Sequence, residues 1–242
     1  MKGLTFTKKL PGFFLEEEKM IAVGDLHIGR DLRLMERGIY LPDATAKMSK
    51  DLLRLCSEYG ADSVALLGDV KESIGYPEKA EYAALLEFFY AMRGVRILIA
   101  KGNHDSRIEE IVKNSASDVE ITREILLKDA ALMHGHSLPS KEAVMKRYII
   151  TGHSHPALEI KGRLEKVYAV LKRGIGMSEE YKRFNRDSRL VILPAFNSML
   201  TGSDIMSSGD FSPMLKHRIF DMGSARLYGL DGKPIRRVMM KA

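Results

Sequence analysis

The chain has one cysteine, no tryptophan and no glutamine among its 242 residues. With Cys56 alone, no disulfide can form within the chain and no thiolate cluster can hold a metal. Cys56 lies in DLLRLCSEYG at helical spacing from Leu52 and Tyr59, so it reads as a buried structural thiol. Long apolar runs are also missing. Nothing approaches the roughly 18 consecutive apolar residues of a membrane-spanning helix. The first stretch, MKGLTFTKKLPGFFLEEEKM, carries a proline and an acidic run where a signal peptide needs an unbroken apolar core. These absences lead us to expect a cytoplasmic protein with no membrane partner. The scarcity of amides hints at a hot habitat, but 14 methionines point the other way.

What is there is ordinary for a globular chain: 45% hydrophobic and 29% charged residues. We expect one domain over residues 1–242. The net charge of +6 is unevenly spread. Nine Lys or Arg and four acids fall between Lys161 and Arg189, which accounts for nearly the whole excess. That suggests an anionic partner near this segment, against the plainer reading of a solvated basic loop. Within it, YKRFNR (Tyr181–Arg186) sets aromatics between cations, as single-strand binders do. Alternatively, those rings pack on the body of the protein.

Strands are expected at MIAVG, SVALLG, VRILIA, AALM, RYIIT, KVYAVL and RLVILPAF. Helices are expected at Asp43–Tyr59, Glu78–Arg93 and Ser106–Lys113. Asp43 is the candidate N-cap and Gly60 the stop of the first. Gly174 to Ser188 reads as a mobile loop, and Asp231-Gly232 as a hairpin turn. The first half alternates strand and helix, implying a parallel or mixed sheet covered by helices; the second half is mostly strand, implying a further sheet packed on it.

Five of these strands end alike. Asp25 and His27 follow the first, in GDLHIG. Asp69 follows the second, and Asn103, His104 and Asp105 follow the third, in GNHD. His134 and His136 follow AALM, and His153 and His155 follow RYIIT, in GHSH. In open α/β sheets ligands bind beyond the carboxyl ends of strands, where all five clusters would meet. Six of the seven histidines lie in them; only His217 lies outside. Any one could be a hydrogen-bonded structural histidine, but six together are not coincidental caps. A sulfur-free set of Asp, His and Asn suits Mn²⁺ first, or Fe, Zn²⁺, Co²⁺ or Ni²⁺. There are more ligands than one ion needs, so two ions bridged by a carboxylate are expected; such a pair acidifies a bound water and neutralises phosphate oxygens.

The series D-x-H, G-D, G-N-H-D, H-G-H, G-H-x-H resembles the calcineurin-like metallophosphoesterases, from Gly24 to His155 and in family order. Closer still is the resemblance to short archaeal and bacterial phosphoesterases related to the nuclease subunit of the double-strand-break repair complex, including those associated with DNA ligase. GDLHIG, RGIYLP, LMHGHSLP, TGHSHP and LPAFNSMLTGSDI carry it. The resemblance implies an α/β fold, a four-layer αββα sandwich of two mixed sheets flanked by helices. It implies that Asp25, His27 and His155 hold a first metal, that Asn103, His134 and His153 hold a second, and that Asp69 bridges them. His104 would assist at the phosphate and Asp105 would orient it. His136 is either substrate-binding or structural, and Arg30 either reaches a phosphate oxygen or is a surface residue. After Gly68-Asp69 many relatives carry another acid or His; this chain has VKES.

The expected activity is hydrolysis of phosphodiesters or phosphomonoesters in DNA, RNA or nucleotides, by attack of a hydroxide bridging the two metals. The competing readings are a non-catalytic scaffold on the same fold and a hydrolase for small nucleotides or lipid-linked pyrophosphates. A scaffold is free to lose ligands, and here none is missing.

Overall fold

The structure, a computed structural model, describes residues 3–39, 43–115, 117–207 and 212–235. Tyr40–Pro42 of RGIYLP and the strand expected after the Asp231 turn lie outside them.

Two six-stranded mixed sheets form the body. The first is built from β1 (Leu4–Phe6), β2 (Phe13–Leu15), β3 (Met20–Val23), β4 (Ser63–Leu66), β5 (Arg96–Ala100) and β6 (Val119–Thr122), in that spatial order. β1, β2 and β3 are antiparallel neighbours, and β3 to β6 run parallel. The crossovers carry α1 (Arg30–Met35), α2 (Ala44–Tyr59), α3 (Lys79–Ala91) and α4 (Ile108–Lys113). α2 begins and ends where its caps put it. The Asp43 carboxylate accepts the Ala46 N–H at 2.9 Å, and Gly60 turns left-handed at φ 65.

The second sheet follows in sequence, with β7 (Glu124–Leu126), β8 (Ala130–Met133) and β9 (Tyr148–Thr151). β10 (Pro156–Ile160) and β11 (Arg163–Lys166) leave it as a hairpin. β12 (Tyr168–Arg173), the short helix α5 (Gly176–Glu180) and β13 (Arg189–Ile192) return to it. β14 (Ser203–Asp204) then joins β10, and after α6 (Pro213–Lys216), β15 (Phe220–Tyr228) closes the edge. The spatial order is β15-β12-β13-β9-β8-β7, with β13, β9 and β8 parallel.

Period-two alternation explains the layers. On β3, β4 and β5, Ile21, Val23, Val64, Leu66, Ile97 and Ile99 face Leu52, Leu55, Phe88 and Phe89 of α2 and α3. The intervening Ala22, Ala65 and Leu98 face the second sheet, meeting Leu132, Ile150, Tyr168 and Val191. On its far side Ile149, Leu171 and Leu190 lie under Val144, Met177 and Met214. The result is the four-layer sandwich, with a thinner outer flank on the second sheet. Tyr168 links the sheets: its buried hydroxyl accepts the Gly12 N–H at 2.8 Å.

Three expectations are refined. The third helix starts at Ile108 rather than Ser106, because Asp105 to Arg107 form a turn first. The Gly174–Ser188 segment is not simply a loop, since it contains α5 and buries Met177. The rings of YKRFNR are not offered for stacking. Tyr181 and Phe184 pack on the outer core, and the Tyr181 hydroxyl donates to the Pro139 carbonyl at 2.7 Å. The Asp231-Gly232 turn is present: Gly232 has φ 76 and Tyr228 bridges Pro234. Cys56 is buried and unpaired, and burial pushes its thiol up to about 11. No helix among the described residues is long and apolar enough to cross a membrane.

Candidate metal centre

The seven expected ligands converge at the carboxyl ends of strands from both sheets. Asp25 and His27 follow β3, Asp69 follows β4 and Asn103 follows β5. His134 follows β8, and His153 and His155 follow β9. Asp25, His27, Asp69 and His134 are buried.

The backbone there is strained. Asp25, His27, Asp69, His153 and His155 have φ of 60, 45, 48, 67 and 39. Left-handed angles are uncommon for residues other than glycine, and five in one cluster need a surrounding structure that holds them. Two glycines make room for it. A Cβ at Gly152 would collide with the Asp25 carboxylate, and one at Gly102 with the backbone nitrogen and side chain of Asp69.

Three subsets share the space, one of them His27, Asp69 and His104 between the other two. Asp25, His27 and His155 bring ligand atoms within 4.8 Å of one another, as do Asp69, His134 and His153. In the first, His155 Nε2 lies 3.1 Å from Asp25 Oδ1. In the second, His134 Nε2 lies 3.1 Å from Asn103 Oδ1, 3.0 Å from His153 Nδ1 and 3.3 Å from Asp69 Oδ2. Asp69 Oδ2 joins the two, since His27 Nε2 is 3.6 Å from it.

The ring tautomers are set from outside. Glu72 accepts from His27 Nδ1 at 2.9 Å, and the Leu67 carbonyl accepts from His134 Nδ1 at 2.8 Å. Both rings therefore turn Nε2 inward, the nitrogen that would serve as ligand once it gives up any proton. His27 Nε2 is buried with no hydrogen-bond partner, and His155 Nε2 has only the poorly aligned Asp25 Oδ1 beside it, which is costly unless a ligand completes them. Orphaned imidazole nitrogens, two buried carboxylates and an amide oxygen are a donor set that fits divalent cations.

Burial raises Asp25 and Asp69, but the neighbouring histidines outweigh it, so both carboxyls titrate below their ordinary range. Burial lowers His134, but the hydrogen bond it donates to Asp69 and the charges of both aspartates lift it to about 9. Burial and the adjacent His134 bring His153 down to about 4.

The remaining expectations divide. His104 Nε2 reaches 4.0 Å from Asp69 Oδ2, at the edge of the cluster. Asp105 does not orient it; no hydrogen bond joins the two. Asp105 instead accepts the Val70 N–H at 2.8 Å with one oxygen and the Gly102 N–H at 2.8 Å with the other. It ties the Asp69 loop to the Asn103 loop. The acceptor for His104 Nδ1 is the Glu72 carbonyl, at 2.5 Å. Arg30 is partly exposed and donates to Glu72 at 2.9 Å. His136 is exposed beside His134, with ring centroids 5.3 Å apart.

Sequence reasoning missed three residues. Glu72, in VKES, is buried and supports His27, Arg30 and, through its carbonyl, His104. Lys166 is one of the nine basic residues of the 161–189 segment. Its ammonium turns inward to the Ala195 and Asn197 carbonyls at 2.7 and 2.6 Å, and burial lowers it to about 8. Asn197 is buried and donates to the Leu26 carbonyl at 2.8 Å, bracing the turn between Asp25 and His27. A polar residue directly after the apolar RLVILPAF was the available signal for Asn197; Glu72 and Lys166 gave none.

Neither a family model nor a curated protein matches the chain. Solved structures do. The nuclease MPE of Pseudomonas putida is similar with a TM-score of 0.60 and 18% identity, over 93% of this chain and 91% of that one. Yfce, a phosphoesterase from E. coli, is similar with a TM-score of 0.42 and 15% identity, over 92% of this chain and 99% of that one. The chain has the calcineurin-like phosphoesterase fold, in common with the Pseudomonas putida nuclease.

Proposed function

We propose that this protein is a two-metal phosphoesterase that hydrolyses phosphodiester or phosphomonoester bonds in nucleic acids or nucleotides. The observation that carries the reading is Asp69 Oδ2. It stands 3.3 Å from His134 Nε2 and 3.6 Å from His27 Nε2, between two groups of ligand atoms. Asp25, His27, His155 and Asp69 would hold one ion; Asp69, Asn103, His134 and His153 would hold the other. Bound divalent ions, Mn²⁺ first among them, supply an acidified water and neutralise phosphate oxygens.

The chain's own groups do the rest. Glu72 and the Leu67 carbonyl fix the two inward imidazole tautomers. The Glu72 carbonyl cannot donate, so His104 Nδ1 stays protonated and the exchangeable proton sits on Nε2, facing the centre. A protonated His104 can then stabilise charge on the phosphoryl group or hand its proton to the leaving oxygen. Arg30, held on Glu72, stands by for a phosphate oxygen.

The Pseudomonas putida protein is described as a nuclease, and that name favours a nucleic-acid substrate here. Side-by-side assays with Mn²⁺ on bis(p-nitrophenyl) phosphate, its monoester, oligonucleotides and mononucleotides test the reading. Turnover on the diester and on oligonucleotides supports it. A folded, metal-loaded protein inert on all four would favour the scaffold.

A further inference from the structure

The second sheet carries a row of cations that the metal centre does not use. Lys172 on β12 and Arg189 on β13 are directly opposed partners. On the other side of β12, Arg226 of β15 is opposed to Val170, two residues from Lys172. All three cations line one cavity of about 650 Å³, so three adjacent strands present positive charge to the same space. Like charges directly opposed across a sheet destabilise it, and sheets normally set an acid between them. Among the described residues Asp187 is the one acid lining that cavity, while Asp221 of β15 is opposed to Lys172 on the side of the neighbouring cavity. Among the described residues, no ion pair joins any of the three to a carboxylate; the Arg189 guanidinium donates to the Asp187 and Ser188 carbonyls at 3.2 Å.

The cavity continues. Lys172 also lines two neighbouring cavities of about 850 and 570 Å³, and the larger adds Arg173, Arg186 and Arg218. Tyr148 and Tyr228 form part of the first wall. Sharing Lys172, the three cavities span more than one phosphate, and their cations outnumber the two acids that line them, Asp187 and Asp221. The groove they form lies away from the metal centre. Arg189 and Tyr148 head β13 and β9, whereas the ligands follow the other end of β9. Four residues of strand separate the two by roughly 10–15 Å.

We propose that this groove binds the phosphodiester backbone of single-stranded nucleic acid, as a second site remote from the metal centre. The choice of nucleic acid as the polyanion rests on the phosphoesterase reading; the charge argument does not. Cations clustered on one sheet face, none of them in an ion pair among the described residues, gain most from a ligand that supplies several phosphates at the spacing of a chain. Holding the polymer here would retain it while bonds are cut elsewhere.

The test is binding of a fluorescein-labelled single-stranded oligodeoxynucleotide to the full chain by anisotropy, in EDTA so that nothing is cleaved. Lys172→Ser/Arg226→Ser is compared with wild type. Losing two phosphate contacts should weaken binding by about tenfold and flatten the salt dependence, by about 0.7 in slope for each contact on a single strand. The variant should melt close to wild type, since both side chains are exposed on the sheet face, and should hydrolyse bis(p-nitrophenyl) phosphate at the wild-type rate. Lys172→Arg should keep binding. A folded double variant that binds like wild type, or a wild type that does not bind, overturns the proposal. So does displacement of the oligonucleotide by inorganic phosphate or a mononucleotide at equal phosphate concentration, which would make this a small-ligand site. Binding lost in the variant while the wild type proves inert as a hydrolase leaves the groove standing and sinks the proposed function instead.

Discussion

Glu72 accepts the Nδ1 hydrogen of His27 at 2.9 Å, and its other oxygen accepts from Arg30 at 2.9 Å. The carboxylate fixes a ring whose Nε2 points into the centre. Glu72→Ala should therefore weaken Mn²⁺ binding by about 10–100-fold, the usual effect of removing the partner of a ligating histidine. Metal titration of the variant checks this. An unchanged affinity would mean that His27 needs no orientation.

His104 separates binding from chemistry. His104→Asn should keep the full complement of bound metal while kcat falls by about 10²–10⁴-fold, as for loss of a general acid. A variant that loses metal as well would make His104 a ligand.

Asp105 is buried and satisfies the Val70 and Gly102 N–H groups. Asp105→Ala should strand both donors and cost about 1–3 kcal/mol for each. Denaturant unfolding measures it. A variant with wild-type stability and a selective loss of kcat would restore the His104-orienting role.

His134 gives the metal-free protein a distinctive pH dependence. Its pKa, lifted to about 9 chiefly by Asp69 against the pull of burial, lies above its unfolded value near 6.5. The proton thus stabilises the metal-free fold fully below pH 6.5, and that contribution is lost as pH rises towards 9. Metal must displace the proton, so binding should release at least one proton at neutral pH, and affinity should rise with pH over that window. His153, lowered to about 4, is already neutral and releases none. Calorimetry in buffers of different ionisation enthalpy counts the protons; zero release contradicts the assignment.

The architecture and the convergence of ligands were legible because both rest on strong periodic signals. Buried strands such as SVAL and RILIA end abruptly in polar residues, and alternating strands and helices allow few arrangements. The supporting residues were not legible. Glu72 lies after a turn with no periodicity, and Lys166 turns inward only because β11 brings it under the Asn197 loop. Helix α5 is five residues long, too short to show a helical period, and only the burial of Met177 reveals its packing. The roles of Asp105 and His104 were separable only once the Glu72 carbonyl was seen at His104 Nδ1.

The central claim is that Asp69 joins two metal positions. Metal content and Mn²⁺-dependent hydrolysis of bis(p-nitrophenyl) phosphate, measured on wild type and Asp69→Asn together, test it most directly. The account predicts two metals per wild-type chain, with turnover that disappears in a folded Asp69→Asn that holds fewer. A folded Asp69→Asn that keeps both metals and full turnover would contradict it.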